Sequence, residues 1–266
     1  MQAGSSSRAA RRVNAAALAI ETEIPEDLDE RTGTVVVVND VDAKSAASLL
    51  GKVDPFSGLD EVARLAVVQR AGRRVVARGQ MVFWQDEPGD TMFVLLDGAV
   101  KLVVWSREGE LMELVRLAAP AAFGEVAVLD GGPRSASAEA VERSTLLVVT
   151  RAELLRLLRS EEQVAEALLR SLGTMVRRTT RQVTELVFLS LQGRVAAKLL
   201  ELAAQAGPGA ERTRRVTQVE LATMVGGARQ TVNQALRSLE ARGYIRTAGR
   251  AFEILDRERL QRLAGG

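Results

Sequence analysis

The sequence predicts an α+β protein in which an antiparallel β-roll is followed by one long helix and a winged helix-turn-helix. Three observations carry this. Residues 74–150 are short β-prone runs separated by turn signals. Residues 161–190 hold no Pro, one Gly, and apolar residues at alternating spacings of three and four. Residues 216–254 read as helix, glycine turn, helix and hairpin, in that order. At 266 residues the chain is long enough for two small domains, each with its own core.

Residues 1–50 are rich in Ala, Ser and Arg, carry an acidic patch from Glu21 to Glu30, and show no sustained periodicity. A disordered or weakly ordered arm is expected there, with Thr34–Val38 as one possible added strand. The stretch from Asp54 to about Ala71 reads as an amphipathic helix after a Pro-containing start. The roll is expected over 51–159. Pro88-Gly89 and Gly131-Gly132-Pro133 mark turns, and Glu108-Gly109 marks a hairpin tip. A short helix, residues 151–159, closes it.

The long segment 160–190 is expected to be a dimerisation helix. Its seam reads Ala165, Leu168, Leu172, Met175, Thr179, Gln182, Leu186, Leu189, the 3.5-residue repeat of a two-stranded coiled coil. The seam is polar at Thr179 and Gln182. Polar groups there cost stability unless they are hydrogen-bonded, so they either fix register or meet a polar ligand.

Residues 191–266 are expected to form the winged helix-turn-helix. A helix over 192–207 ends at Gly207-Pro208. Thr217 and Glu220 form a T-x-x-E capping box opening a helix through Val225. Gly226-Gly227-Ala228 is the turn, Arg229–Ala241 the second helix, and the segment from Tyr244 a two-stranded wing. This third carries thirteen Arg/Lys against seven Asp/Glu, a net +6, beside −4 for the first 190 residues (23 against 27). That asymmetry points to a polyanion partner for the C-terminal part.

Cysteine and histidine are both absent, which excludes disulfides, thiolate catalysis, Cys- or His-bound metal and His-ligated haem. No metal is expected. No motif for acyl or phosphoryl transfer is present, so an enzyme is not expected. Apolar runs are far short of a membrane span, and the N-terminal Arg cluster lacks a cleavage pattern, so a cytoplasmic protein is expected.

The chain resembles the cyclic-AMP receptor (CRP/FNR) family of bacterial transcription regulators over residues 55–260. The most specific part is FGEVAVLDGGPRSASA, residues 123–138, which looks like the family's phosphate-binding cassette. The resemblance implies a jelly-roll-like cyclic-nucleotide-binding domain, with Gly124, Glu125, Val126, Arg134 and Ser135 as ligand contacts. The chemistry agrees: a guanidinium fork suits a phosphodiester's two oxygens, a hydroxyl and backbone N–H groups add bonds, and a carboxylate accepts from a ribose hydroxyl. Counting back from Gly193-Arg194, the resemblance places an adenine contact at Thr179 and Thr180, one from each subunit. This coincides with the polar break in the seam and selects the ligand reading. The family often has Gly-Asp where this chain has Ala121-Ala122.

Cyclic AMP is therefore the expected effector, with cyclic GMP, another small ligand or nucleotide independence as the alternative. The resemblance also implies a homodimer through 160–190, double-stranded DNA as partner, and RNA polymerase. Arg229-Gln230-Thr231-Val232-Asn233-Gln234 resembles the family's R-E-T-V-x-R, departing at Gln230 and Gln234. Arg229 suits a guanine; Gln230, Asn233 and Gln234 lie where base edges are read; Thr217, Gln218 and Thr231 suit phosphates; Arg237 faces the backbone or an outer base.

Overall fold

The computed structural model describes residues 42–106, 109–207 and 209–265. The expected arm up to residue 41, including the strand at 34–38, lies outside them. Residues 43–50, expected as the end of that arm, are instead helix α1 (Ala43–Leu50), with Ala46, Ala47 and Leu50 buried. The helix is short and has no side-chain cap, so its local signal is weak; tertiary packing makes it. Helix α2 (Glu61–Arg70) is shorter than expected because Asp60 caps it, its carboxylate accepting from Ala63 N at 2.8 Å.

Two four-stranded antiparallel sheets make the roll. One has the order β1 (Gly72–Val76), β8 (Ser144–Thr150), β3 (Thr91–Asp97), β6 (Ala121–Phe123). The other has the order β2 (Met81–Phe83), β7 (Ser137–Ala140), β4 (Ala99–Trp105), β5 (Leu111–Ala118). Strand β3 is buried from Met92 to Leu96 because both its faces are covered. Phe93 and Leu95 face the roll interior with Phe83, Phe123 and Leu146. Met92, Val94 and Leu96 face a second core with α1, α2 and helix α4 (Arg151–Ser160), whose N-cap is Thr150. The short helix α3 (Glu125–Asp130) sits between β6 and β7.

Helix α5 (Glu162–Phe188) is the long helix, and its register differs from the sequence expectation by about one residue. Its N-terminal turns bury Val164, Ala167 and Leu168. Further along, Met175, Thr179 and Gln182, expected in the seam, face the roll instead. The apolar side chains left outward include Leu169, Val176, Val183 and Val187, with exposures of 53–69%, and near the C-terminal end Leu186 and Phe188 are exposed as well. With Gly173 and Thr180 between them the first four keep the same spacing of four and three. The helix carries two adjacent apolar stripes, and periodicity alone does not say which one the roll claims.

Leu189 is extended, and Ser190 starts α6 (Leu191–Ala206) by accepting from Gly193 N at 3.2 Å. A separate core joins α6 to α7 (Gln218–Val225), α8 (Arg229–Ala241), β9 (Ile245–Ala248) and β10 (Ala251–Ile254). The capping box is present as expected, and the turn passes through Gly226 at φ 62°. Arg194 donates to Val225 O, Leu189 O and Gly226 O, tying the α5–α6 joint to this turn. One further helix, α9 (Arg257–Leu263), follows the wing and packs on α6; a Cβ on Gly193 would fall 2.6 Å from Leu263 O. It is only seven residues long and capped by Asp256, too short for periodicity to announce it.

Candidate ligand cavity and nucleic-acid interface

The roll and the middle of α5 enclose a cavity of about 530 Å³. Its floor is apolar, with Phe83, Leu117 and Phe123. Its polar groups come from the 124–136 segment on one side, from Ser171, Thr174, Arg178, Thr179 and Gln182 on the other, and from Asp54. An apolar pocket with a few convergent polar groups is the usual form of a small-molecule site.

Arg134 is its most unusual residue. It is 4% exposed, and its guanidinium lies 4.2 Å from the Phe83 ring centroid and 5.6 Å from that of Phe93. Nη1 donates to Gly124 O at 2.9 Å and Nη2 to Thr91 Oγ1 at 3.1 Å. Nε is buried with no hydrogen-bond partner. Among the described residues no carboxylate pairs with this cation directly. Burial pushes its pKa down, against the more distant charges of Asp90, Glu87 and Glu125. A buried cation without a counter-ion is expensive, so its place fits an anionic ligand.

The backbone that presents Arg134 demands glycine. Gly124 is left-handed at φ 82°, and a Cβ there would fall 3.0 Å from Arg134 Nη1. The loop is pinned by two bonds, Arg134 N to Glu87 O and Asp86 N to Arg134 O. Glu125 lines the same cavity. Burial raises its pKa, partly offset by its own backbone N–H and by the charges of Arg178 and Arg134. A simple Glu125–Arg134 ion pair does not account for the loop, because the guanidinium is turned to Gly124 and Thr91.

Of the expected ligand residues, Gly124, Glu125, Val126, Arg134, Ser135 and Thr179 all line this cavity. Thr180 does not; it is exposed on the outer stripe, and its carbonyl accepts from Thr184 Oγ1. Consecutive helical residues are about 100° apart, so two adjacent threonines serve different faces. Sequence reasoning missed Ser171, Thr174 and Arg178, and placed Met175 and Gln182 in the seam. The spacing 171, 175, 178, 182 carried that signal, and the competing apolar stripe masked it.

In the C-terminal domain, Val232, Leu236 and Leu239 seat α8 on the core. Its outward face presents Arg229, Gln230, Thr231, Gln234 and Arg237, all exposed, and Gln218 is exposed at the start of α7. Asn233 is placed differently from expectation: it is half-buried, and its Oδ1 is buried without a partner. Thr217 is committed to its capping box, its Oγ1 donating to Glu220 Oε2 at 2.9 Å and accepting from Glu220 N at 3.2 Å. Among the described residues no cluster of acidic side chains could hold a metal ion, and no helix is long and apolar enough to cross a membrane.

The roll with its anion-suited cavity and the basic winged helix-turn-helix define a ligand-responsive transcription regulator rather than an enzyme. Comparison with known proteins agrees. Residues 73–161 match the cyclic nucleotide-binding domain family, and residues 193–263 match the Crp-like helix-turn-helix domain. The chain is 34% identical over 220 residues to a CRP-like cAMP-activated global transcriptional regulator of Mycobacterium tuberculosis, covering 81% of this chain and 98% of that one. It is 32% identical to a cyclic AMP receptor protein of Thermus thermophilus, over 73% of this chain and 88% of that one. The chain therefore belongs to the CRP/FNR family of transcription regulators. Among solved structures, a CRP/FNR-family regulator from Thermus thermophilus aligns with a TM-score of 0.57 at 28% identity, over 73% of this chain and 98% of that one. The c-di-GMP responsive regulator CLP of Xanthomonas campestris shares the fold, with a TM-score of 0.66 at 20% identity, over 73% and 99%.

Proposed function

We propose that this chain is a cyclic-AMP-responsive homodimeric regulator that binds a palindromic DNA site in the cytoplasm and there meets RNA polymerase. Residues 51–159 sense the nucleotide, 160–190 dimerise and 191–266 read DNA. The observation that carries the reading is Arg134, a buried guanidinium with an unbonded Nε at the wall of a cavity sized for a nucleotide. The cyclic phosphate meets Arg134 and Ser135, the ribose hydroxyl meets Glu125, Gly124 and Val126 frame them, and the base reaches Thr179. The outer stripe of Leu169, Val176, Val183 and Val187 supports pairing with a second copy. In that dimer Thr180 sits in the seam and addresses the ligand held by the other copy.

Binding shifts the population toward a state in which the two α8 helices lie about one DNA turn apart. Arg229, Gln230, Asn233 and Gln234 then read base edges, and Gln218, Thr231 and Arg237 hold the backbone, joined by Thr217 once its hydroxyl turns from Glu220. Calorimetric titration of the purified protein with cyclic AMP, with cyclic GMP and Arg134→Ala as controls, tests the sensor. Tight binding that requires Arg134 is expected. Equal affinity in Arg134→Ala overturns the assignment, and preference for cyclic GMP reassigns the effector.

A further inference from the structure

Strand β5 joins three parts of the molecule within five residues. Leu102 of β4 pairs with Val115 and Val103 with Glu113, so Leu114 is an extra, bulged residue with no partner across the ladder. On this edge strand the Leu114 carbonyl accepts instead from the Gln182 side-chain amide of α5, at 2.6 Å. Gln182 and Leu114 both line the nucleotide-sized cavity. Flanking the bulge, Arg116 pairs with Glu113 at 2.9 Å and reaches Glu220 of α7 at 3.4 Å. Glu220 is the carboxylate of the capping box. At the other end of α7, Met112 Sδ lies 3.4 Å from where a Cβ on Gly226 would sit. The strand thus grips both ends of the first helix of the reading head. Thr217 and Glu220 face a cleft shared with Arg78, Lys101 and Arg116 of the roll.

We propose that β5 is a strap holding the reading head on the roll, and that Gln182 is its release. A ligand whose base edge offers a hydrogen-bond acceptor takes the Gln182 amide from Leu114. The bulge then relaxes, and the Glu113–Arg116–Glu220 joint beside it opens. The inference rests on the nucleotide-responsive reading for the identity of the trigger, but the strap itself is testable without nucleotide. Linkage requires that a change which loosens the docked arrangement without touching the ligand raises affinity for DNA and for nucleotide alike.

The test uses the full chain carrying Gln182→Leu or Arg116→Gln, without nucleotide. Backbone amide exchange is followed over residues 218–225, with affinity for a duplex selected from a random pool by the wild-type protein. Both variants are expected to speed exchange in α7 and to raise nucleotide-free DNA affinity at least about five-fold, the lower end of ordinary allosteric coupling. Arg116→Gln removes a positive charge, which by itself weakens DNA binding, so a gain there has the opposite sign to the charge effect. Unchanged α7 exchange and DNA affinity in both variants overturn the strap; if Arg116→Gln fails to fold, Gln182→Leu decides alone. Adding cyclic AMP to the wild type should speed α7 exchange, and Gln182→Leu should lose most of that response. A full response in Gln182→Leu overturns its role as the release. Absence of cyclic AMP binding in the wild type overturns the nucleotide reading and leaves the strap to the nucleotide-free result.

Discussion

Arg134 and Arg116 are both partly or wholly buried arginines near glutamates, yet their surroundings act in opposite directions. At Arg134 burial wins: its pKa falls, and among the described residues no carboxylate touches it and Nε has no partner. At Arg116 burial also pushes the pKa down, but the hydrogen bonds and charges of Glu113 and Glu220 outweigh it, and the pKa rises. The nearby glutamates mirror this. Burial holds Glu125 above the ordinary carboxylate range. Burial also pushes Glu220 up, but the backbone and hydroxyl of Thr217 together with Arg116 bring it below that range. A charge left short of partners marks a place for a ligand, whereas a charge fully matched within the chain marks a joint. Arg74 refines the rule. It is just as buried, burial lowers its pKa too, and its Nε is likewise unbonded. Its two terminal nitrogens bond Val82 O and Met81 O, bracing β1 on β2. It lies outside the cavity, so a missing partner marks a ligand place only where a cavity adjoins it.

The largest effect should come from the unmatched charge. Arg134→Ala is expected to weaken cyclic AMP binding by at least about 100-fold, since a charge-assisted bidentate contact contributes roughly 3 kcal/mol. Thermal stability should change little, because the substitution also removes an uncompensated buried cation. A large loss of stability with nucleotide affinity retained would break the comparison, placing Arg134 with the structural arginines. Arg134→Lys sharpens it: charge is kept but the fork is lost, so calorimetry should find an intermediate affinity.

Arg229, exposed at the start of α8 and proposed as a base reader, comes next. Arg229→Ala is expected to cost roughly 1–3 kcal/mol at one base pair per half-site, with the loss confined to duplexes carrying the preferred base. Binding measured across a substituted panel of duplexes checks this; a uniform loss would make Arg229 a backbone contact.

How much of this was legible in the sequence follows the same division between local and tertiary causes. The capping box at Thr217 and Glu220, the glycine turn at Gly226 and the alternating roll strands are local features, and each was readable from its own few residues. The 124–135 cassette was readable from its resemblance to the family's motif; of the contacts that hold Arg134 only the bond to Gly124 O is local, and Thr91, Phe83 and Glu87 are distant in sequence. What was not legible was set by distant packing. The choice between two adjacent stripes on α5, which decides that Thr179 faces the cavity and Thr180 the outside, depends on where the roll lies. The pairing of Arg116 with Glu220 spans 104 positions of sequence and has no local trace. Helices α1 and α9 are short enough that their neighbours, not their own sequence, hold them in place.

The smallest predicted effect is the most direct test of the contrast between the two glutamates. Glu220 has a lowered folded pKa, so its contribution to stability is present above the unfolded value of about 4.3 and is lost as pH falls through the folded one. Glu125 has a raised folded pKa, so the folded state binds its proton more tightly than the unfolded chain. Its stability term therefore grows as pH drops through the raised value toward about 4.3, and it opposes folding at neutral pH. Thermal unfolding followed between pH 7 and pH 3 should separate them. Glu220→Gln, which can still close the capping box, should flatten the loss of stability below about pH 4.3. Glu125→Gln should be at least as stable as wild type at pH 7 and should lose the gain on mild acidification. For Glu220 the difference should stay below about 1 kcal/mol, since it is partly open to solvent and its pairing is screened. If both substitutions shifted the profile in the same direction, the two carboxylates would share one kind of environment, and the separation of a ligand-facing charge from a joint-forming one would fail at its acidic partners.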